Sequence, residues 1–154
     1  MRNSKTSFIT LLLTAALLLP GLCYSADYPP SVSQLVANTR KTIKTVDMAG
    51  FKAIYDKKDC GLLVDVRDPD EYVAGHIPGA VNVSRGKLEF QIWKHVGGPE
   101  KPDLNKKMML YCASGGRCTL ATKSLMDLGF TDVTTVVMKL EDWKKAGYPF
   151  ETNK

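Results

Sequence analysis

The sequence predicts an α/β fold carried by a mostly parallel sheet with helices on its faces. Two observations predict it. Short continuous apolar runs of strand length recur at "GLLVDV", "AVNV", "KMMLYC" and "VTTVV", and such runs mark strands buried on both faces. Segments with helical spacing separate them, and strand alternating with helix is the pattern of crossover-connected parallel sheets.

The elements follow in chain order. Arg2 and Lys5 precede the uncharged run Phe8–Leu19, which Pro20 and Gly21 interrupt before the small residues up to Ala26. Positive, apolar, then small is the order of a secretory signal peptide. Residues 1–26 are therefore expected to be removed, after Ser25 or Ala26, from a chain that is periplasmic or otherwise exported. The apolar run falls well short of the ~20 residues of a spanning helix. Residues 27–46 are expected to form an N-terminal helical extension, because Val32, Leu35, Val36, Ile43 and Val46 fall near helical spacing. A helix over Ser31–Val46 would pack on its own domain or serve a dimer contact, in a protein that is a monomer or a homodimer.

The folded domain is expected to fill 47–154. "DMAGFKAIYDKK" reads as a helix with Asp47 as N-cap. "GLLVDV" is the first buried strand, "DPDEYVAGHIPG" a helix and turn, and "AVNV" a short strand. "GKLEFQIWKHV" reads as helical and "GGPEKPDLN" as a loop. "KMMLYC" is the second buried strand, ending at Cys112. "CTLATKSLMDLGF" is a helix stopped by Gly129, "VTTVV" a last strand and "LEDWKKAG" a closing helix.

Composition narrows the function. The 154-residue chain carries a formal charge of +5, which becomes 5 − 2 = +3 once Arg2 and Lys5 leave with the signal. No Lys/Arg cluster is interleaved with aromatics, so nucleic acid is a poor partner. A mildly basic surface with arginines suits a small anionic substrate. Of four cysteines, Cys60, Cys112 and Cys118 remain after signal removal, and an odd number in an exported chain points to a free thiol. There is no C-x-x-C or histidine pairing, so neither a zinc site nor another metal or cofactor is expected.

The segment "CASGGR" carries the chemistry. Cys112 stands at the carboxyl end of a buried strand, where α/β sheets hold their ligands. The amides of Ala113, Ser114, Gly115, Gly116 and Arg117 can turn toward one centre, and the following helix adds the positive end of its dipole. Such a ring stabilises an anion, here the Cys112 thiolate, which is the nucleophilic form of cysteine. Arg117 can donate to an anionic substrate or brace the loop. A buried structural cysteine before an ordinary strand-to-helix turn is the plain alternative.

With these residues in view, "CASGGR" resembles the active-site loop of the rhodanese family of sulfurtransferases. "LLVDVRDPDEYVAGHIPGAVNV" is similar to that family's upstream signature, with Asp65, Arg67, Glu71, Gly75, His76, Ile77, Pro78, Gly79, Ala80 and Asn82 in matching places. "LEDWKKAGYPFE" resembles its closing helix and Trp-Gly-Pro ending. The resemblance spans about Val46 to Glu151 and implies a rhodanese-like fold with a mostly parallel five-stranded sheet flanked by helices. "VSRGKLE" further resembles bacterial periplasmic polysulfide-sulfur transferases. Related phosphatases have five residues between cysteine and arginine, whereas this chain has four, Ala113 to Gly116. The tighter ring suits a single sulfur on the cysteine rather than a phosphate.

The resemblance implies sulfane-sulfur transfer from thiosulfate or polysulfide to a thiophilic acceptor such as cyanide or a thiol, through a Cys112 persulfide. A second reading, from another class, is a persulfide carrier that delivers sulfur to a partner protein. The expected catalytic pair is Cys112 and Arg117. Ala113, Ser114, Gly115, Gly116, Arg67 and Arg85 are the expected contacts to the anionic donor, the two arginines because they follow strand ends. Asp65 is as well suited to a structural ion pair, and His76 reads as structural. Trp143 and Tyr148 read as core and closing contacts, and Cys60 as a passive thiol. Two positions depart from the family pattern. Cys118 replaces the usual Ser or Thr and is expected to be buried and turned away from Cys112, a disulfide between them being the alternative. Met138-Lys139 replaces Gly-Gly and is expected to narrow the pocket or place a cation beside it.

Overall fold

The computed structural model describes residues 29–152. The expected signal peptide, with Cys23, lies outside the described residues. Helix α1 spans Pro30–Arg40, and strand β1 spans Lys44–Asp47. Helix α2 (Met48–Asp56), β2 (Leu62–Asp65), α3 (Pro69–Ala74) and β3 (Val81–Asn82) follow. Next come two 3-10 turns flanking a short α4 (Leu88–Gln91), then β4 (Met108–Tyr111), α5 (Gly116–Asp127), β5 (Val133–Val137) and α6 (Leu140–Lys145). The five strands form one sheet in the order β1-β5-β4-β2-β3, every neighbouring pair parallel.

One sequence expectation is corrected. The helix read over Ser31–Val46 ends at Arg40, and Lys44–Asp47 pairs with β5 as an edge strand. The reason is that β1 has only one half-buried residue, Val46, so it carries no strand-like apolar run. Asp47 does cap α2, its carboxylate accepting from the Gly50 amide at 2.8 Å. The α1 helix packs against α5 of its own chain. "GKLEFQIWKHV" is helical but broken into three short turns.

Alternation along β4 divides the core. Met108 and Leu110 face the layer of α4 and α5, as does Cys112 beyond them. Met109 and Tyr111 face the other layer, with Phe51 of α2 and Trp143 of α6. Period-two side-chain direction therefore fixes which layer Cys112 meets. The connections from β2 and β4 leave in opposite directions across the sheet. The crevice between their carboxyl ends is a topological switch point, the usual ligand position in open α/β sheets. Asp65 and Tyr111 are register partners there, so Arg67 and Cys112 flank that crevice.

Candidate active site

The Cys112 side chain is 1% exposed and sits directly before the N-terminus of α5. Its Sγ accepts from the amides of Gly115 at 3.2 Å and Cys118 at 3.4 Å, and lies 3.4 Å from the Cys118 Sγ. The Cys118 thiol, first among these contacts, lowers the Cys112 pKa to about 6 against its burial, helped by the amides of Cys118, Ser114 and Gly115. Cys118 moves the other way, pushed well above the ordinary thiol value by the same contact and by burial. The two shifts favour the thiolate at Cys112 and the protonated thiol at Cys118.

The expected orientation of Cys118 is corrected by this geometry. Its thiol is buried, but it faces Cys112 rather than turning away. The helix begins at Gly116, two residues earlier than its apolar pattern suggests, which makes Cys118 its third residue rather than its first. The two sulfurs are not joined: Cys60, Cys112 and Cys118 are all free thiols.

The loop is held at nearly every residue. The Ala113 carbonyl accepts from the Leu140 amide at 2.9 Å, tying its start to α6. Gly115 adopts φ +84°, the left-handed region that disfavours a Cβ, and a Cβ there would also lie 2.9 Å from Arg40 Nη2. The Gly115 carbonyl accepts from the Thr119 hydroxyl at 2.6 Å, and that hydroxyl accepts from Arg40 Nε at 3.2 Å. Arg40, on α1, is a loop-positioning residue that the sequence did not reveal, since its partners lie far along the chain. Ala113 and Ser114 are exposed and form the mouth of the loop.

The arginines divide by role. Arg117 makes a two-point pair with Glu71 at 2.6 and 2.9 Å and reaches Asp68 at 3.3 Å. Arg117, through its hydrogen bonds, holds the Glu71 carboxyl below its ordinary range. These contacts fasten α5 to the start of α3. Arg67 is almost fully buried and donates to both oxygens of Asp65 and, at 2.7 Å, to the Gly75 carbonyl. It lines the cavity at the crevice, but its guanidinium serves the structural pair. Arg85, expected as a donor contact, has two side-chain partners in the structure. It pairs with Glu89 at 2.8 Å and donates to Ser124 at 2.9 Å. Ser124 lies roughly 12 Å along α5 from Gly116, at the helical rise per residue.

A cavity of about 240 Å³ opens beside the loop, lined by Arg67, Glu71, Ala113, Glu141, Lys144 and Phe150 among others. Met138 is buried in the core and Lys139 is exposed, and neither lines this cavity, so the expected narrowing does not occur. The cation at the rim is Lys144, whose ion pair with Glu141 at 3.2 Å is exposed. A larger cavity of about 430 Å³ lies at the opposite, amino end of β2 and β3, beside Cys60. Burial pushes the Cys60 thiol up, so that cavity has no activated sulfur. His76 is buried between the Tyr72 carbonyl and Glu151, as its structural reading expects.

We expect Arg85→Ala to lower the melting temperature while leaving kcat/KM for an anionic sulfur donor within about twofold, as for substitutions away from the reacting centre. Lys144→Ala should raise KM for the same donor about two- to fivefold, the range for a partly exposed charge contact. Donor kinetics on both variants check this, and the opposite ranking would place the donor's charge at Arg85.

Comparison with known proteins agrees with this geometry. Residues 48–146 match the model of the rhodanese-like domain. Over 115 residues the chain is 35% identical to the thiosulfate:glutathione sulfurtransferase of Saccharomyces cerevisiae, covering 68% of this chain and 81% of that protein. It is 28% identical over 102 residues to the putative sulfur carrier protein YrkF of Bacillus subtilis, covering 66% of this chain and 51% of the relative. The homodimeric polysulfide-sulfur transferase of Wolinella succinogenes superposes with a TM-score of 0.63 at 25% identity, over 79% of this chain and 88% of the other. The matched segment holds both the crevice and the thiolate loop, and the chain belongs to the rhodanese-like domain family.

Proposed function

We propose that the protein is an exported sulfurtransferase that takes a sulfane sulfur from thiosulfate or polysulfide onto Cys112 and passes it to a thiophilic acceptor. The observation that carries this reading is the Cys112 sulfur, which accepts from two amides and lies 3.4 Å from a neighbouring thiol at the N-terminus of α5. The thiolate attacks the outer sulfur of the donor. The S–S bond to the leaving group breaks, and its electron pair departs with sulfite or with a shortened polysulfide. Cys112 keeps the sulfur as a persulfide. An acceptor such as cyanide or a thiol attacks that outer sulfur and returns the thiolate. This is covalent, ping-pong catalysis. The chemistry needs little proton transfer, so positioning and anion stabilisation supply most of the rate.

The cavity rim fits a small anion. Lys144 is the cation there whose partner is exposed, and it meets donor charge without breaking the fold. Arg67 adds positive potential from behind while remaining bound to Asp65.

Mass spectrometry tests the reading: the purified protein is treated with thiosulfate or polysulfide and then challenged with cyanide or a thiol. One sulfur gained on Cys112 and lost to the acceptor supports it, and neither sulfur gained nor sulfide released with either donor refutes it. Steady-state turnover separates an enzyme from a carrier that holds sulfur for a partner, the role named for the Bacillus subtilis relative. Export rests on the order of charged, apolar and small residues in 1–26. Intact mass of protein from the producing cell's envelope should begin after Ser25 or Ala26, and a chain beginning near Met1 would contradict export.

The rate of persulfide formation should follow one ionisation. Because Cys112 is lowered from 9.0 to about 6, the rate should rise with pH through about 6 and flatten by neutrality. The stability linkage has the matching sign. Folding lowers this pKa, so the thiolate's contribution is complete above 9.0 and is lost as pH falls through about 6. Single-turnover rates across this range check the profile, and an inflection near the ordinary thiol value would show that the cradle does not ionise Cys112.

A further inference from the structure

Cys118 is the unused group in the site. It is fully buried, its Sγ is 3.4 Å from the Cys112 Sγ, and its other sulfur contact is the Val136 carbonyl at 3.6 Å. It lies on the interior side of Cys112. The exposed Ala113 and Ser114 form the mouth of the loop. A persulfide on Cys112 thus has a second thiol beside its inner sulfur, at 3.4 Å in the unmodified pair.

We propose that Cys118 is a second reacting thiol, which attacks the inner sulfur of the Cys112 persulfide, releases the donated sulfur as sulfide and leaves a Cys112–Cys118 disulfide. The proposal rests on the sulfurtransferase reading, since it needs the persulfide. The step balances: the Cys112 persulfide and the Cys118 thiol give the Cys112–Cys118 disulfide and one molecule of hydrogen sulfide. The bond from Cys112 Sγ to the outer sulfur breaks, and a new bond to Cys118 Sγ forms. The outer sulfur leaves with the electron pair and takes the Cys118 proton. The sulfane sulfur is the oxidant, and the two thiols are oxidised. An external dithiol resets the pair by thiol–disulfide exchange.

Two physical points favour this order of events. The sulfurs must close from 3.4 Å to about 2.05 Å, a shift within side-chain reach. Cys118 is also held protonated chiefly by the Cys112 thiolate itself, through their hydrogen bond. Sulfuration removes the negative charge from the inner sulfur, and that restraint on Cys118 is relieved. The second thiol is quiet while Cys112 awaits a donor and is released once the sulfur has arrived. The protein then has two outlets. An acceptor thiol or cyanide takes the outer sulfur, or Cys118 expels it as sulfide, so that with an external dithiol the protein becomes a donor-reducing, sulfide-releasing catalyst.

The test uses fully reduced protein under anaerobic conditions, freed of reductant, with thiosulfate or polysulfide as donor and no acceptor. Sulfide is assayed and the cysteines are mapped by non-reducing mass spectrometry. Wild type should release one equivalent of sulfide per chain and lose two hydrogens as a Cys112–Cys118 disulfide. Cys118→Ser should instead retain one added sulfur on Cys112 and release no sulfide until an acceptor is supplied. Should the serine variant fail to fold, Cys118→Ala replaces it, and the wild-type result decides the matter alone. Wild type that keeps its persulfide without releasing sulfide overturns the role of Cys118 and leaves the sulfurtransferase reading standing. A disulfide that forms equally without donor also overturns it, since the sulfane sulfur is then not the oxidant. If the Cys118 variant gains no sulfur and wild type neither gains sulfur nor releases sulfide, both readings fall.

Discussion

Cys112→Ser is expected to abolish sulfur uptake and lower turnover with thiosulfate or polysulfide by roughly 10³-fold or more, because the nucleophile itself is removed. A serine hydroxyl in the same cradle stays protonated near neutral pH and forms no persulfide. Cys60→Ser should leave sulfur uptake within about twofold of wild type, because Cys60 lies at the far end of the sheet and burial holds its thiol protonated. Persulfide mass and donor kinetics on the two variants make the comparison. Equal losses in both would remove Cys112 from its assigned role. A variant that keeps uptake without Cys112 would do the same.

Asp65→Ala is expected to cost stability rather than chemistry. Asp65 is fully buried, and Arg67 donates to it through its main-chain amide at 2.9 Å, through Nε at 3.0 and 2.9 Å and through Nη2. Removing the carboxylate leaves a nearly buried guanidinium with the Gly75 carbonyl as its remaining partner. Breaking one side of a buried pair costs about 3–5 kcal/mol. For a domain of this size that is a fall of about 10–20 °C in melting temperature. Below its own melting range the variant should keep most of its kcat/KM, since the Asp65 carboxylate is engaged by Arg67 rather than by Cys112. Thermal melts and donor kinetics on the same preparation decide it. A melting temperature within a degree or two of wild type would mean that the pair is not structural. Arg67→Ala should melt early for the mirror reason, because it strands the Asp65 carboxylate. A kinetic loss in that variant therefore has to be read against its fold.

Much of the site was legible because local chemistry imposed it. A buried apolar run ending in Cys112, followed by small residues and a helix, can fold only as strand, curl and helix. The positive φ at Gly115 gives the glycine a physical reason. The capping role of Asp47 was equally local, since cap and amide lie three residues apart. Edge strand β1 was not legible. An outer strand buries little, so "KTVD" shows no apolar run, and its pairing with β5 exists only in three dimensions.

The sequence by itself determined the α/β class, the parallel sheet and the position of Cys112 at a strand's carboxyl end. These follow from hydrophobic period and from residue types whose backbone freedom is fixed by their own chemistry. Only the tertiary structure decided the partners of the charged and sulfur side chains. It gave Arg67 to Asp65, Arg117 to Glu71, Arg85 to Ser124 and Arg40 to Thr119. It also turned Cys118 toward Cys112. Long side chains have many rotamers, and their partners often lie dozens of residues away. Their final choice depends on which surfaces packing brings together, and a linear pattern of residues does not contain that information.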